Sequence, residues 1–274
     1  MPSTSIARTA RVNDYDLGYI EAGSGAPLLL VHGSLCDYRF WGPQMEPLSV
    51  RRRVIAVSLR HYWPEAWDGN DADFTVEQHA DDLAALVREL GLGRIDLVGH
   101  SRGGSVAYAF AQRTPQLLHS LVLAEPGLRL CEAGGPEDLD RGGFRERALE
   151  LLREHRTDEA LELFIDTVSG AGTWARTVPP IKRMMRDNAN TLIGQAAESY
   201  AKLTPDTALR LRQPLLLVGG ANSPSPYPAV LDGLEKLLPG AQRATIPAAS
   251  HAMNLWNAAA FNRALESFLS QIPA

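Results

Sequence analysis

A serine stands between two glycines at the junction of an apolar run and a helical pattern. The segment LVGHSRGGSVAYAF (97–110) contains a G-x-S-x-G motif centred on Ser101. Such a motif makes a sharp strand-to-helix turn, in which the serine takes a strained backbone conformation and the glycines leave room for it. Ser101 would then lie at a helix N-terminus, where free N–H groups and the helix dipole favour developing negative charge. The motif therefore predicts a strand–turn–helix unit with Ser101 as a candidate nucleophile.

The rest of the chain has the alternation that such a unit needs. Apolar runs alternate with helical patterns, which is typical of an α/β protein with a mostly parallel sheet. Near-continuous apolar runs indicate strands that are covered on both faces, and residues 8–23 favour an antiparallel hairpin at one edge. Thr75 and Gln78 have capping-box spacing at the start of one amphipathic helix. The predicted core strands are 26–33, 52–59, 94–101, 119–125, 213–220 and, more weakly, 243–247.

One long segment breaks the alternation. Residues 127–208 contain no convincing strand and several amphipathic helical stretches, such as 144–155 and 157–170. An insertion of this length between two core strands predicts a helical cap, or lid. We therefore divide the chain into a core domain, 1–126 with 209–274, and a helical cap, 127–208.

Composition excludes several classes of protein. The 274 residues carry a net charge of −5 and no basic stripe of the kind that a nucleic-acid-binding protein needs. Cys36 and Cys131 show neither metal-ligand nor CxxC spacing, so we expect free thiols, with one disulfide as the alternative, and no metal. We also expect no cofactor. The chain has neither the apolar run of a signal peptide nor a run of about 18 apolar residues for a membrane helix. We expect a soluble, cytoplasmic monomer or homodimer that has no membrane or nucleic-acid partner.

At this point the chain resembles the α/β-hydrolase fold family over nearly its whole length. LLLVHGSLCDYRFW (28–41) is similar to the family's oxyanion loop, and ASHAMNLWN (249–257) is similar to the loop that carries the catalytic histidine. The resemblance implies that Ser101 is the nucleophile and His251 the general base. It also implies an oxyanion hole made by the backbone N–H groups of Ser34 and Arg102.

The acid is the unusual part of the pattern. A serine–histidine pair needs an acceptor on the second imidazole nitrogen, which holds the tautomer and stabilises the imidazolium. The family's usual position follows the strand after the cap, where this chain has Asn222, and residues 214–231 contain no carboxylate. An amide is a poor substitute, because aspartate-to-asparagine replacement in a serine protease costs about 10⁴-fold in turnover. Asp232 comes too late, within a predicted helix.

Glu125 ends the preceding core strand, SLVLAEPG (120–127). The carboxyl ends of parallel strands form the active crevice of open α/β sheets, and a glutamate ending an apolar strand is costly unless it is paired. Some family members, including certain haloalkane dehalogenases and the zearalenone lactonases, carry their acid on this earlier strand. We therefore predict a Ser101–His251–Glu125 triad. The alternatives are a structural salt bridge at Glu125, a Ser-His-Asn arrangement that uses Asn222, or a substituted residue at position 222.

The substrate side departs from the family. SLRHYWPEAWDGNDADFTVE (58–77) replaces the frequent D-x-R-G-x-G-x-S loop with aromatic residues. These residues would either line an apolar acyl pocket or pack under the cap. The candidate pocket residues are Leu35, His61, Tyr62, Trp63, Trp67, Trp174, Trp256 and Met253.

The leading hypothesis is a cofactor-free hydrolase of apolar or aromatic esters, thioesters or lactones. Serine at position 101 disfavours dehalogenase and epoxide hydrolase chemistry, which in this fold uses a carboxylate nucleophile. The same triad also serves carbon–carbon bond hydrolysis or lyase chemistry. Two alternatives come from other classes: a receptor-like protein that binds and slowly cleaves a lactone, and a non-catalytic ligand-binding protein.

Overall fold

The computed structural model describes residues 6–69, 73–130, 143–196, 198 and 202–273. Within them, eight strands form one sheet in the order β1-β2-β4-β3-β5-β6-β9-β10, and β7 pairs with β8 in a separate two-stranded sheet. The strands are β1 (Ile6–Val12), β2 (Tyr15–Ala22), β3 (Ala26–Val31), β4 (Arg52–Val57), β5 (Ile95–His100), β6 (Leu118–Ala124), β7 (Arg129–Leu130), β8 (Lys202–Leu203), β9 (Leu215–Gly220) and β10 (Gln242–Ile246).

The large sheet is parallel from β4 to β10, and β1 and β2 form the predicted antiparallel edge. This confirms the predicted α/β class with a mostly parallel sheet. In the ladder His100 pairs with Ala124, and Ala124 pairs with Val218. The carboxyl ends of β5, β6 and β9 therefore lie side by side, which brings together three loops that are far apart in the sequence.

Helices cover both faces of the sheet, and an apolar cluster of buried residues lies on each face. Thr75 caps α2 as its spacing predicted, because its side chain accepts a hydrogen bond from the N–H of Gln78. The Gln78 side chain does not close a capping box and donates to Asp82 instead. The α-helices are α1 (Gly42–Ser49), α2 (Val76–Glu89), α3 (Arg102–Arg113), α4 (Phe144–Arg153), α5 (Thr157–Ser169), α6 (Thr173–Arg176), α7 (Pro179–Asp187), α8 (Thr191–Ala196), α9 (Pro205–Ala208), α10 (Tyr227–Leu237), α11 (Met253–Trp256) and α12 (Ala258–Ser270).

The segment between β6 and β9, which we call the insert, contains α4 to α9. It has its own apolar cluster, built around Phe144, Leu161 and Phe164, and Leu35 of the core packs into that cluster. The predicted cap is strand-free, whereas the insert contains the short pair β7 and β8. Cys36 is a buried free thiol, and burial raises its pKa well above the ordinary value. Cys131 lies outside the described residues.

Candidate active site

Ser101 occupies a strained turn between β5 and α3. Its backbone has φ 53° and ψ −123°, a conformation that costs energy for a residue with a side chain and that is typical of nucleophile elbows. The neighbouring glycines are required by contact. A Cβ at Gly99 would lie 2.4 Å from the carbonyl oxygen of Gly103, and one at Gly103 would lie 2.2 Å from that of His32. The motif thus works as its sequence predicts, through close approach of the backbone.

Glu125 follows β6 and is also in a left-handed conformation, with φ 44°. Its side chain is 1% exposed. One carboxylate oxygen, Oε1, accepts a hydrogen bond from the N–H of Gly220 at 2.8 Å. The other, Oε2, lies 2.7 Å from Nδ1 of His251. A buried carboxylate with both oxygens engaged holds that imidazole in the tautomer with a proton on Nδ1, which leaves Nε2 able to accept one.

His251 is supported on two further sides. The ring of Tyr227 stacks on it, with centroids 4.0 Å apart and planes 15° apart. His100 donates from Nε2 to the backbone carbonyl of His251 at 2.8 Å. Burial, together with the charge of His251, lowers the pKa of His100 well below the ordinary value, so this imidazole is a neutral donor. Within the described residues no hydrogen bond joins Ser101 to His251, and such bonds often tighten only when substrate binds.

Asn222 takes no part in this arrangement. The residue is exposed, its backbone N–H donates to the carbonyl of Ala249, and within the described chain its side chain makes no hydrogen bond. Asp232 also takes no part in the arrangement, because it pairs with Arg243 at the surface. Glu125 is therefore the carboxylate that the structure brings to His251.

The two predicted oxyanion donors border Ser101. A Cβ at Gly33 would lie 2.9 Å from the Cβ of Ser101, so the glycine lets the Ser34 loop approach the nucleophile. Arg102 is the first residue of α3, where N–H groups have no acceptor within the helix. The loop is fixed by His32, whose Nε2 accepts from the N–H of Leu59 at 3.1 Å. Burial lowers the pKa of His32 to about 4, so its ring remains a neutral acceptor.

A cavity of about 60 Å³ opens beside Ser101. Since one water needs about 10–15 Å³ on this scale, the cavity has room for about five. Its lining comes from the elbow, from the insert and from the loop after β9, and it combines polar side chains with the apolar Val76, Val168 and Pro226. Residues that line it with Ser101 include Ser34, Arg102, Arg145, Gln195, Glu198 and Tyr227.

The aromatic loop after β4 packs beneath the insert. The rings of His61 and Trp67 stack at 4.7 Å, and that of Trp67 stacks on Phe74 at 4.9 Å. A Cβ at Gly194 of α8 would lie 2.6 Å from Trp67, so the insert rests directly on this stack. Trp63, by contrast, lies under the guanidinium of Arg39. These aromatic residues form a floor for the insert.

The predicted apolar pocket is therefore not the cavity at Ser101. All but two of its candidates are buried. Trp63 is only partly buried, and Trp256 is 46% exposed. Buried or not, none of the eight lines this cavity: Leu35, His61, Tyr62, Trp63, Trp67, Trp174, Trp256 and Met253.

Several site residues escaped the sequence reasoning. Tyr227 had a usable signal, because it is an aromatic residue shortly after β9, at the same edge of the sheet as the elbow. Three residues of the insert have no such signal, because only tertiary packing brings them to the cavity beside Ser101: Arg145, Gln195 and Glu198. Among the described residues, no cluster of histidine, cysteine and carboxylate side chains could hold a metal ion, and no helix is long and apolar enough to cross a membrane.

The sequence matches the alpha/beta hydrolase family over residues 28–264, and the chain belongs to that family. A Mycobacterium tuberculosis protein of uncharacterised function is 36% identical over 126 residues, which are 46% of this chain and only 36% of that protein. 2-(Acetamidomethylene)succinate hydrolase of Mesorhizobium japonicum is 26% identical and covers 91% of this chain and 90% of its own. A thermophilic esterase from Thermogutta terrifontis superposes with a TM-score of 0.77 at 25% identity, covering 99% and 100% of the two chains.

Proposed function

We propose that this alpha/beta hydrolase is a serine hydrolase that cleaves a carboxylic ester, thioester or lactone through a Ser101–His251–Glu125 triad. The observation that carries the proposal is the 2.7 Å contact between Nδ1 of His251 and the buried carboxylate of Glu125. A carboxylate on the far nitrogen is what a general-base histidine requires. The strained conformations of both Ser101 and Glu125 support it, because strain of this kind concentrates at functional sites.

The reaction would proceed in two halves. Nε2 of His251 takes the proton of Ser101 as Oγ attacks the carbonyl carbon, and the N–H groups of Ser34 and Arg102 stabilise the oxyanion. His251 then gives the proton to the leaving alcohol or thiol, and an acyl group remains on Ser101. Water deprotonated by His251 attacks the acyl-enzyme, and the acid product leaves with the serine restored.

The size of the cavity favours a small acyl group. A volume of about 60 Å³ cannot take a long chain without movement of the insert. Its wall combines hydroxyl, amide and guanidinium groups with the apolar side chains of Val76, Val168 and Pro226, so it suits a short acyl chain that has both apolar and oxygen atoms. The aromatic side chains on which the expected aromatic substrate rested pack under the insert and do not line this cavity, so the size of the acyl group is proposed from the cavity alone.

The test compares p-nitrophenyl acetate with p-nitrophenyl octanoate. We expect turnover that is lost in Ser101→Ala, a burst of nitrophenol that reports an acyl-enzyme, and kcat/KM at least about tenfold higher for the acetate. Turnover that survives in Ser101→Ala would contradict the serine mechanism. A preference for the octanoate would contradict the small acyl site and leave the triad standing.

A further inference from the structure

The last turn of helix α8, within the insert, hydrogen-bonds to Ser34, the first of the two proposed oxyanion residues. Oγ of Ser34 donates to Oε1 of Gln195 at 2.7 Å. Gln195 lies near the C-terminal end of α8 and is 7% exposed. The side chain of Ser34 is thereby held by the insert.

Glu198, just after α8, binds the side chain of Arg102, the second proposed oxyanion residue. Nε of Arg102 donates to Oε2 of Glu198 at 2.8 Å, and its Nη2 donates to the other carboxylate oxygen. The side chain of Glu198 is only 12% exposed. Burial acts to lower the pKa of Arg102, but the nearby Tyr62 and Glu198 outweigh it and raise the pKa above the ordinary value. The guanidinium is charged and fixed in a fork geometry that a carboxylate matches.

A third contact completes the hold on Arg102. Its Nη2 also lies 2.9 Å from Nδ1 of His79, whose Nε2 donates to the carbonyl of Arg60. Burial, and then the charge of Arg102, lower the pKa of His79 well below the ordinary value. His79 is thus a neutral acceptor from the core, and Glu198 is the charged acceptor from the insert.

We infer that Gln195 and Glu198 are positioning residues, through which the insert sets the geometry of the oxyanion hole. This inference rests on the proposed function. Two residues three positions apart bind the side chains of both proposed oxyanion donors, although Ser34 lies on the loop after β3 and Arg102 begins α3. Donors stabilise a tetrahedral oxyanion only when they point at its position, and a displacement of about 1 Å costs up to about 10²-fold in rate.

Other contacts already attach the insert to the core away from Ser101. Nδ2 of Asn190 donates to the carbonyl of Trp67 at 2.9 Å, and the Asn188 side chain bonds to both Asp37 and Trp63. Asn190→Ala is therefore a matched control, because it removes one insert-to-core hydrogen bond without touching the oxyanion residues.

The experiment is a double-mutant cycle on Ser34→Ala and Gln195→Leu, with kcat and KM for p-nitrophenyl acetate and the inhibition constant of a methyl trifluoromethyl ketone. Because the ketone forms a tetrahedral adduct, its affinity reports the oxyanion hole. We expect each single variant to lower kcat about tenfold and to weaken the ketone in parallel, with KM within about twofold. The double variant should lose no more than either single variant, since Gln195 acts through Ser34.

A second cycle, on Arg102→Met and Glu198→Gln, covers the other donor, with urea unfolding to verify that each variant folds. Equal losses in Asn190→Ala, or additive losses within each cycle, would overturn the inference, because the insert would then act by general packing. If turnover by the parent did not depend on Ser101, the proposed function itself would fail. If it did depend on Ser101 and Gln195→Leu kept the parent's kcat, only the positioning role would fail.

Discussion

The loops that follow β6 and β9 begin at the same edge of the sheet and differ in almost every physical respect. The β6 loop opens with Glu125, which is buried, has a positive φ and engages both carboxylate oxygens. The β9 loop carries Asn222, which is exposed and, within the part of the chain that the structure describes, hydrogen-bonds only through its backbone. The β9 strand instead supplies the N–H of Gly220 to Glu125.

In the proposed triad, the position of the acid is set by its reach to the histidine and not by one particular strand. Because β6 and β9 are neighbours in register, a carboxylate at the end of either strand reaches the same imidazole. In the proposed triad β6 supplies the acid, and the N–H of Gly220 at the end of β9 donates to its carboxylate. The strain at Glu125 follows from this exchange, since a residue directly after the strand must turn sharply to reach His251.

The largest expected effect comes from Glu125→Gln. The amide keeps the size of the side chain but presents a donor to His251, which favours the wrong tautomer, so kcat should fall about 10³- to 10⁴-fold. Steady-state hydrolysis of p-nitrophenyl acetate measures the change. A loss below about tenfold in a folded variant would mean that the glutamate is a structural ion pair and that the acid is elsewhere.

Gly220→Ala tests the contact in which the N–H of Gly220 donates to Glu125. The added Cβ would lie 2.6 Å from the carbonyl oxygen of Ala249 and 2.7 Å from that of Ser250. Because these are backbone atoms beside His251, the loop must shift, and we expect a loss of about 1–3 kcal/mol in unfolding free energy and of at least about tenfold in kcat. Gly240→Ala is the matched control, since nothing lies within 4 Å of its added Cβ. Equal behaviour of the two variants would contradict the account.

Acid pH tests the three buried histidines that support the loops around Ser101 and His251. His32, His79 and His100 are buried with lowered pKa, and that of His32 falls from 6.5 to about 4. Below about pH 6.5 the unfolded chain binds protons that the folded chain does not, so stability falls as the pH falls. From pH 7 to 5 His32 alone should lower the free energy of unfolding by about 2 kcal/mol, and His79 and His100 should add to the loss in the same direction.

Urea unfolding at the two pH values measures this loss in the parent and in Asn222→Ala. The two proteins should follow the same profile, because the β9 loop adds no titrating group at position 222. A parent whose stability does not change between pH 7 and 5 would show that these imidazoles are not held neutral.

The smallest expected effect is that of Asn222→Ala itself. An exposed side chain that makes no hydrogen bond contributes little, so kcat should stay within about twofold of the parent and the free energy of unfolding within about 0.5 kcal/mol. A loss of about tenfold or more in kcat would show that the β9 loop takes part in catalysis.

Local sequence signals were enough for the sheet and the elbow. Apolar runs and the spacing around Ser101 predict them because the backbone constraints act between near neighbours. Glu125 could be proposed as well, since a carboxylate ending an apolar strand is conspicuous. The Gly220 contact follows from strand register, which the sequence does not display.

The insert was predictable only as a helical segment. The contacts of Gln195 with Ser34 and of Glu198 with Arg102 join residues 161 and 96 positions apart, so no periodicity reports them. The aromatic loop was ambiguous for a related reason. Large apolar side chains suit both a pocket wall and a packed interface, and only the position of α8 over Trp67 decides between the two.

The tautomer of His251 is the most direct test of the central claim, that Glu125 and not Asn222 holds the catalytic histidine. Nitrogen NMR of histidine-labelled protein reads it, with His251→Gln identifying the signal. We predict a proton on Nδ1 in the parent and in Asn222→Ala, and loss of that single tautomer in Glu125→Gln. A tautomer that survives in Glu125→Gln and changes in Asn222→Ala would contradict the account.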